Sequence, residues 1–139
     1  MTAPVALSEN AAPAIAPYPF LTNGGACAKL IAAKDWTPTP LGSIESWPAS
    51  LKTATAIVLR SPVPIVMLWG SAGIMLYNDA YSAFAGGRHP RSLGSNVRDG
   101  WPEVADFNET IMRAGLAGET LHYRDQELTL YRHGSPEQV

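Results

Sequence analysis

Glu103 and Asp106 stand three residues apart in a segment with helical periodicity, so their carboxylates can be neighbours on one face. Such a pair can share general acid and base work, but near a helix start its ordinary role is to complement the helix dipole. His89 precedes a proline, His122 begins an expected strand and His133 sits in an expected hairpin, all places for surface or hydrogen-bonding imidazoles. Cys27 is the one cysteine, so it makes no internal disulfide and no structural zinc site by itself. Its run GGACAKLIAA predicts a partly buried thiol. Serine, histidine and aspartate all occur, but no GxSxG elbow and no GxxxxGK[ST] phosphate loop accompanies them. Gly86-Gly87 reads as a helix terminator rather than a phosphate cradle. No catalytic residue and no metal ligand set is assigned.

Recognition is the better-supported chemistry. Met67, Trp69, Met75, Tyr77 and Phe84 are candidate lining residues, with Leu93, Trp101, Phe107, Ile111, Met112 and Leu128 further along the chain. For any one of them plain core is the default, and a ligand is favoured only where polar and aromatic groups meet at a cavity. Tyr77 and Trp101 stand out because each joins an apolar body to one donor. Arg88 and Arg91 flank the expected mouth and could hold an anionic group, although turn arginines are usually solvated.

These side chains need elements to hold them. In PIVMLWGSAGIMLYND, apolar strands flank the turn Gly70-Ser71-Ala72-Gly73, and Asn78-Asp79 reads as the cap of a short helix ended by Gly86-Gly87. The first strand, Ile65–Trp69, is apolar on both faces, so each needs a cover. Upstream, 25–35 predicts a short helix anchored by Leu30 and Ile31, closed by Asp35-Trp36 and the prolines of TPTPLG. A second helix spans 48–60, capped by Ser46 or Trp47 with Pro48 in its first turn. Its face of Leu51, Ala54, Thr55 and Val58 is weakly apolar; Leu51, Thr55 and Val58 are candidates for a dimer interface. Trp101-Pro102-Glu103 opens a longer helix with Val104, Phe107, Ile111 and Ala114 as its buried stripe, weakened and ended by Gly115 and Gly118. Leu121–Arg132 reads as a strand, and His133-Gly134-Ser135-Pro136 as a hairpin turn into Glu137-Gln138-Val139. The order predicts an α+β fold with an antiparallel sheet and helices gathered on one face.

The 139 residues suit one domain, and 46% apolar content supports a core. A net charge of −2 without blocks of like charge gives no general attraction to nucleic acid or anionic membrane. Lys29 is the first basic residue and no apolar run is long enough to cross a bilayer, so the expectation is a cytoplasmic segment without membrane contact. The Ala/Pro-rich 1–19 predicts a flexible leader, 20–61 an N-terminal helical cap and 62–139 the core of the domain.

DWTPTPLGSIESWPASLKTA, PIVMLWG, LYNDAY, GRHPRSLGSNVRDGWPE and GLAGET, in this order and spacing, resemble the PAS domain found at the N-terminus of bacterial sensor histidine kinases. The similarity covers about 20–139, with the Asn78-Asp79-Ala80-Tyr81 step matching the passage from second strand to first core helix. The resemblance implies a five-stranded antiparallel sheet with a ligand pocket between it and the helices. The last two of those strands are missing from this chain, which implies a fragment or an edge completed by a neighbouring chain. It further implies a signal-transduction input domain that binds a small molecule or a partner and regulates an output such as a histidine kinase. A ligand-free dimerisation module is the alternative, and a homodimer is expected. No cofactor is named by the resemblance. Light-sensing relatives need a cysteine where this chain reads GRHPRSLG, which argues against covalent flavin photochemistry. Haem-binding relatives carry a histidine on the long helix, and 102–117 has none, which argues against haem.

Overall fold

The computed structural model describes residues 15–118, 129–130, 132–133 and 136–138. Most of the expected leader (1–14), His122, Leu128 and the centre of the last hairpin turn lie outside these residues. The fold is α+β. Chain order runs α1 (Gly25–Ala33), α2 (Ala49–Arg60), β1 (Val66–Trp69), β2 (Ile74–Tyr77), α3 (Asp79–Ala85), α4 (Val97–Gly100), α5 (Ala105–Leu116), β3 (Thr129–Leu130) and β4 (Glu137–Gln138).

β1 and β2 form an antiparallel hairpin that pairs Val66 with Tyr77 and Trp69 with Ile74. Gly70 (φ 76°) and Gly73 (φ 65°) supply the left-handed backbone that its tight turn needs. The strands differ in depth. Every residue of β2 is buried, whereas every residue of β1 is half-buried. The reason lies in the edges: β2 has β1 on one side and the 94–97 loop on the other, through Met75 N to Ser95 O (2.9 Å) and Gly94 N to Met75 O (2.8 Å). The second edge of β1 has no such partner among the described residues. A single sheet was expected; β3 and β4 instead pair separately, Thr129 with Gln138 and Leu130 with Glu137.

Asn78 ties the hairpin to the helices. It caps α3, accepting from Tyr81 N at 2.9 Å, and its amide donates to the carbonyls of Val58 (3.0 Å), Ser61 (3.3 Å) and Val63 (2.8 Å). Those carbonyls end α2 and lead into β1, so one buried side chain satisfies groups that the helix end leaves orphaned. Asp79, next in sequence, does the same for α1 across fifty residues: its carboxylate accepts from Ala26 N (2.9 Å) and Cys27 N (2.7 Å).

Several expectations are corrected. Pro48 itself occupies the cap position of α2, so neither Ser46 nor Trp47 caps it. Leu51, Thr55 and Val58 are buried in the chain's own core, at 1%, 1% and 7% exposure, and Ile57 is the large apolar side chain that α2 exposes. In α1, Ile31 is an anchor but Leu30 is exposed, and Cys27 is wholly buried rather than partly so. A short 3-10 turn, Pro102–Val104, precedes α5, and the expected stripe of α5 is half-buried throughout. The chain is docked from Ile15 rather than from residue 20: Ile15 and Tyr18 pack on the core, and the Tyr18 hydroxyl donates to Glu45 at 2.8 Å.

The core is continuous from the N-terminal helices to the hairpin, since Leu21, Cys27, Ile31 and Leu51 belong to the same buried cluster as Met75, Tyr77 and Trp101. Trp36 and Trp47 meet edge to face at 5.2 Å, with indole N–H groups on the carbonyls of Ile31 (2.8 Å) and Gly42 (2.9 Å). The connection between α1 and α2 thereby sends Trp36, Ile44 and Trp47 into the core while Pro38 and Pro40 stay exposed.

Candidate functional site

An aromatic series runs outward from the hairpin. Tyr77 on β2 meets Tyr81 on α3 at 5.0 Å, Tyr81 meets Phe84 at 5.4 Å, and Phe84 meets Trp101 at 6.2 Å. Helical spacing places Tyr81 and Phe84 on one face of α3. The Trp101 indole donates to the Tyr81 hydroxyl at 3.1 Å, and Tyr77 OH sits 2.7 Å from His89 Nδ1 and 3.0 Å from Ser92 Oγ. The buried phenols therefore keep partners, as the low dielectric around them demands.

Arginines close the outer end of this series. Arg88 lies over Trp101 at 4.7 Å, donates to Gly100 O and pairs with Glu103 at 3.0 Å. Arg132 lies over Phe84 at 5.2 Å and donates to Phe84 O at 3.1 Å. Two segments far apart in sequence meet here because of Gly86-Gly87. Gly87 N donates to Arg132 O at 2.9 Å, a Cβ at Gly87 would stand 2.8 Å from that oxygen, and a Cβ at Gly86 would stand 2.6 Å from His133 Nε2. The pair does end α3, as its sequence suggests, and it also lets the last hairpin approach.

Between these segments opens a cleft of about 650 Å³, lined by Arg88, Arg91, Ser92, Ser95, Asp99, Gly100, Arg132 and His133 among others. Its size suits a small molecule, within the roughly 300–1,000 Å³ usual for such sites. Asp99 is the lining carboxylate, and its Oδ2 accepts from Asn96 Nδ2 at 2.8 Å. A second recess of about 730 Å³ lies between β1 and α5, lined by Val66, Leu68, Trp69, Asn108, Ile111, Met112 and Leu116.

The expected lining set is thus divided. Met75, Tyr77, Leu93 and Trp101 are buried core behind the polar cleft, with Phe84 half-buried beside them and Arg88 on the cleft wall. Trp69 and Ile111 belong to the apolar recess. Met67 lies on the opposite face of the hairpin from Met75 and Tyr77, because cross-strand partners share a face and Met67 pairs with Leu76. Phe107 is half-buried on α5. Ser92, Ser95, Asp99, Arg132 and His133 were not foreseen; the glycine pair was the one trace of their convergence.

In the core, the Cys27 thiol pKa is pushed up to about 12, first by burial and then by its hydrogen bond to Asp79. Tyr77 is likewise pushed up to about 12, chiefly by burial. Both are neutral at physiological pH, so neither is a ready nucleophile. Burial opposes ionisation of Asp79, but the N–H groups of Cys27 and Ala26, with the Cys27 thiol and His89 nearby, outweigh it and hold the carboxyl below its ordinary value. Among the described residues no cluster of His, Cys, Asp and Glu is placed to hold a metal, and no helix is long and apolar enough to cross a membrane. No family model matches the sequence, and neither a curated protein nor a solved structure does.

Proposed function

We propose that this chain is a cytoplasmic PAS-type input domain that binds a small molecule and biases the activity of an attached output such as a histidine kinase. The observation that carries this reading is the backing of the polar cleft. The hairpin gives Tyr77, α3 gives Tyr81 and Phe84, and the following turns give Ser92 and Trp101, all in one bonded series behind a cleft open to solvent. A molecule held there touches groups whose packing joins hairpin to helices. It can shift the balance between two packings if it binds one of them better. Supporting this are the order of elements, a tight hairpin leading into an Asn-capped helix, and the PAS resemblance of the sequence.

Native mass spectrometry and an absorbance spectrum of the purified protein test the reading. A retained molecule, or a metabolite from a screen that raises the melting temperature, is the expected result. A protein that retains and binds nothing, and whose fusion to an output kinase leaves activity insensitive to added metabolites, would sink it.

A ligand-free interaction module remains the second reading, favoured by the apolar recess beside β1 and by Leu116, 67% exposed at its rim. Self-association abolished by Leu116→Glu, as seen by analytical ultracentrifugation, would favour it. The buried Leu51 and Val58 are unsuitable for that experiment, since a charge there would unfold the chain.

A further inference from the structure

The polar cleft has a sign as well as a size. Among the described residues its lining carries the guanidinium groups of Arg88, Arg91 and Arg132 and the carboxylate of Asp99; counting Glu103, which pairs with Arg88, the balance is still positive. Arg88 is held on two sides, by Gly100 O and Glu103, and stacked on Trp101. Arg132 is held by Phe84 O and stacked on the Phe84 ring. Stacking and bonding of this kind fix a guanidinium before any ligand arrives, which lowers the ordering cost of binding. Arg91 is different: it is exposed on the cleft rim and, among the described residues, belongs to no ion pair. Ser92 and Ser95 direct their hydroxyls inward, to Tyr77 and to Ser92 O, and give the cleft a neutral floor.

We propose that the cleft is an oxyanion site that takes the carboxylate or phosphate of a small molecule, with Arg88 and Arg132 as fixed walls and Arg91 as the cation that closes on the ligand. The inference rests on the input-domain reading and names the ligand class of that same cleft. A guanidinium suits planar carboxylate and phosphate oxygens alike, so the shared feature is the oxyanion, and the two probes below separate its sources.

The test is an amide-resolved NMR titration of the intact chain with inorganic phosphate and, separately, with succinate, at ionic strength held constant with sodium chloride. The expected result is saturable shifts at Arg91, Ser92 and Ser95 with at least one probe, and affinity lowered roughly tenfold or more in Arg91→Ala, the scale of one charge-assisted hydrogen bond. Lys29→Ala removes an equal charge from the exposed side of α1 and should leave the affinity unchanged. Absence of saturable shifts with both probes, equal affinity in Arg91→Ala, or an equal loss in Lys29→Ala would overturn the proposal. A protein that ignores both anions but retains a neutral molecule keeps the input-domain reading and loses this one. Anion binding that leaves a fused output unmoved does the reverse.

Discussion

The polar cleft and the apolar recess have nearly the same volume, about 650 and 730 Å³, yet they are held open by different means. Around the cleft, each wall arginine leans on a ring and donates to a carbonyl, so its shape is set by directional bonds. Around the recess, β1 and α5 contribute mainly apolar side chains, half-buried apart from the exposed Leu116, with the Asn108 amide among them, and an occupant that removes the apolar ones from water is favoured. The first selects by charge and geometry. The second selects chiefly by shape and apolarity, as a contact surface does. Strand depth marks the same division, since the 94–97 loop seals β2 beside the cleft while β1 lines the recess.

The largest expected effect falls on both regions at once. Asn78→Ala strands the carbonyls of Val58, Ser61 and Val63 together with the N–H groups of Ile65 and Tyr81, and should cost about 3 kcal/mol or more in urea denaturation. A loss below about 1 kcal/mol would mean that the hairpin and helices are not joined through this side chain. Gly87→Val separates the two regions. It drives a methyl-bearing carbon against Arg132 O and should cost about 2 kcal/mol while abolishing anion binding, with amide shifts around Ile111 and Leu116 unchanged.

Acid should weaken the attachment of α1. The Asp79 pKa is lowered in the folded protein, so its contribution is complete above the ordinary carboxylate range and is lost as pH falls through the lowered folded value. Between about pH 7 and about pH 3, wild type should therefore lose more stability than Asp79→Asn, by urea melts at each pH. Equal losses would place the acid sensitivity elsewhere. The smallest effect is expected in the recess: Leu116→Gln should change stability by no more than about 0.5 kcal/mol and leave the cleft's anion affinity as it was. A larger loss would show that the recess is part of the core.

Much of the frame was legible because its signals are local. Asn78 followed by an apolar-periodic stretch announces a capped helix, and Gly70 and Gly73 between apolar runs announce a tight hairpin. The helices at 25–33 and 49–60 follow from spacing and flanking prolines. Which face of α2 meets the core was legible too, but not what covers it: Leu51, Thr55 and Val58 look alike whether they meet this chain's interior or another copy. The expected pocket list failed in a related way. Aromatic residues advertise burial, and nothing in Met67 or Trp69 states which side of a two-faced hairpin a ligand would use.

The sequence by itself determined the first hairpin, the Asn78-capped helix after it and the helices near 25–33 and 49–60, since each depends on residues within about one turn of one another. Only the tertiary structure decided the site. Arg132 and His133 reach Arg91 and Ser92 through a docking contact at Gly86-Gly87, and Asp79 reaches Cys27 across the core. Short-range steric and hydrogen-bonding preferences are written residue by residue. A cleft is written in distances between segments that share no local signal, and those exist only once the chain has closed its core.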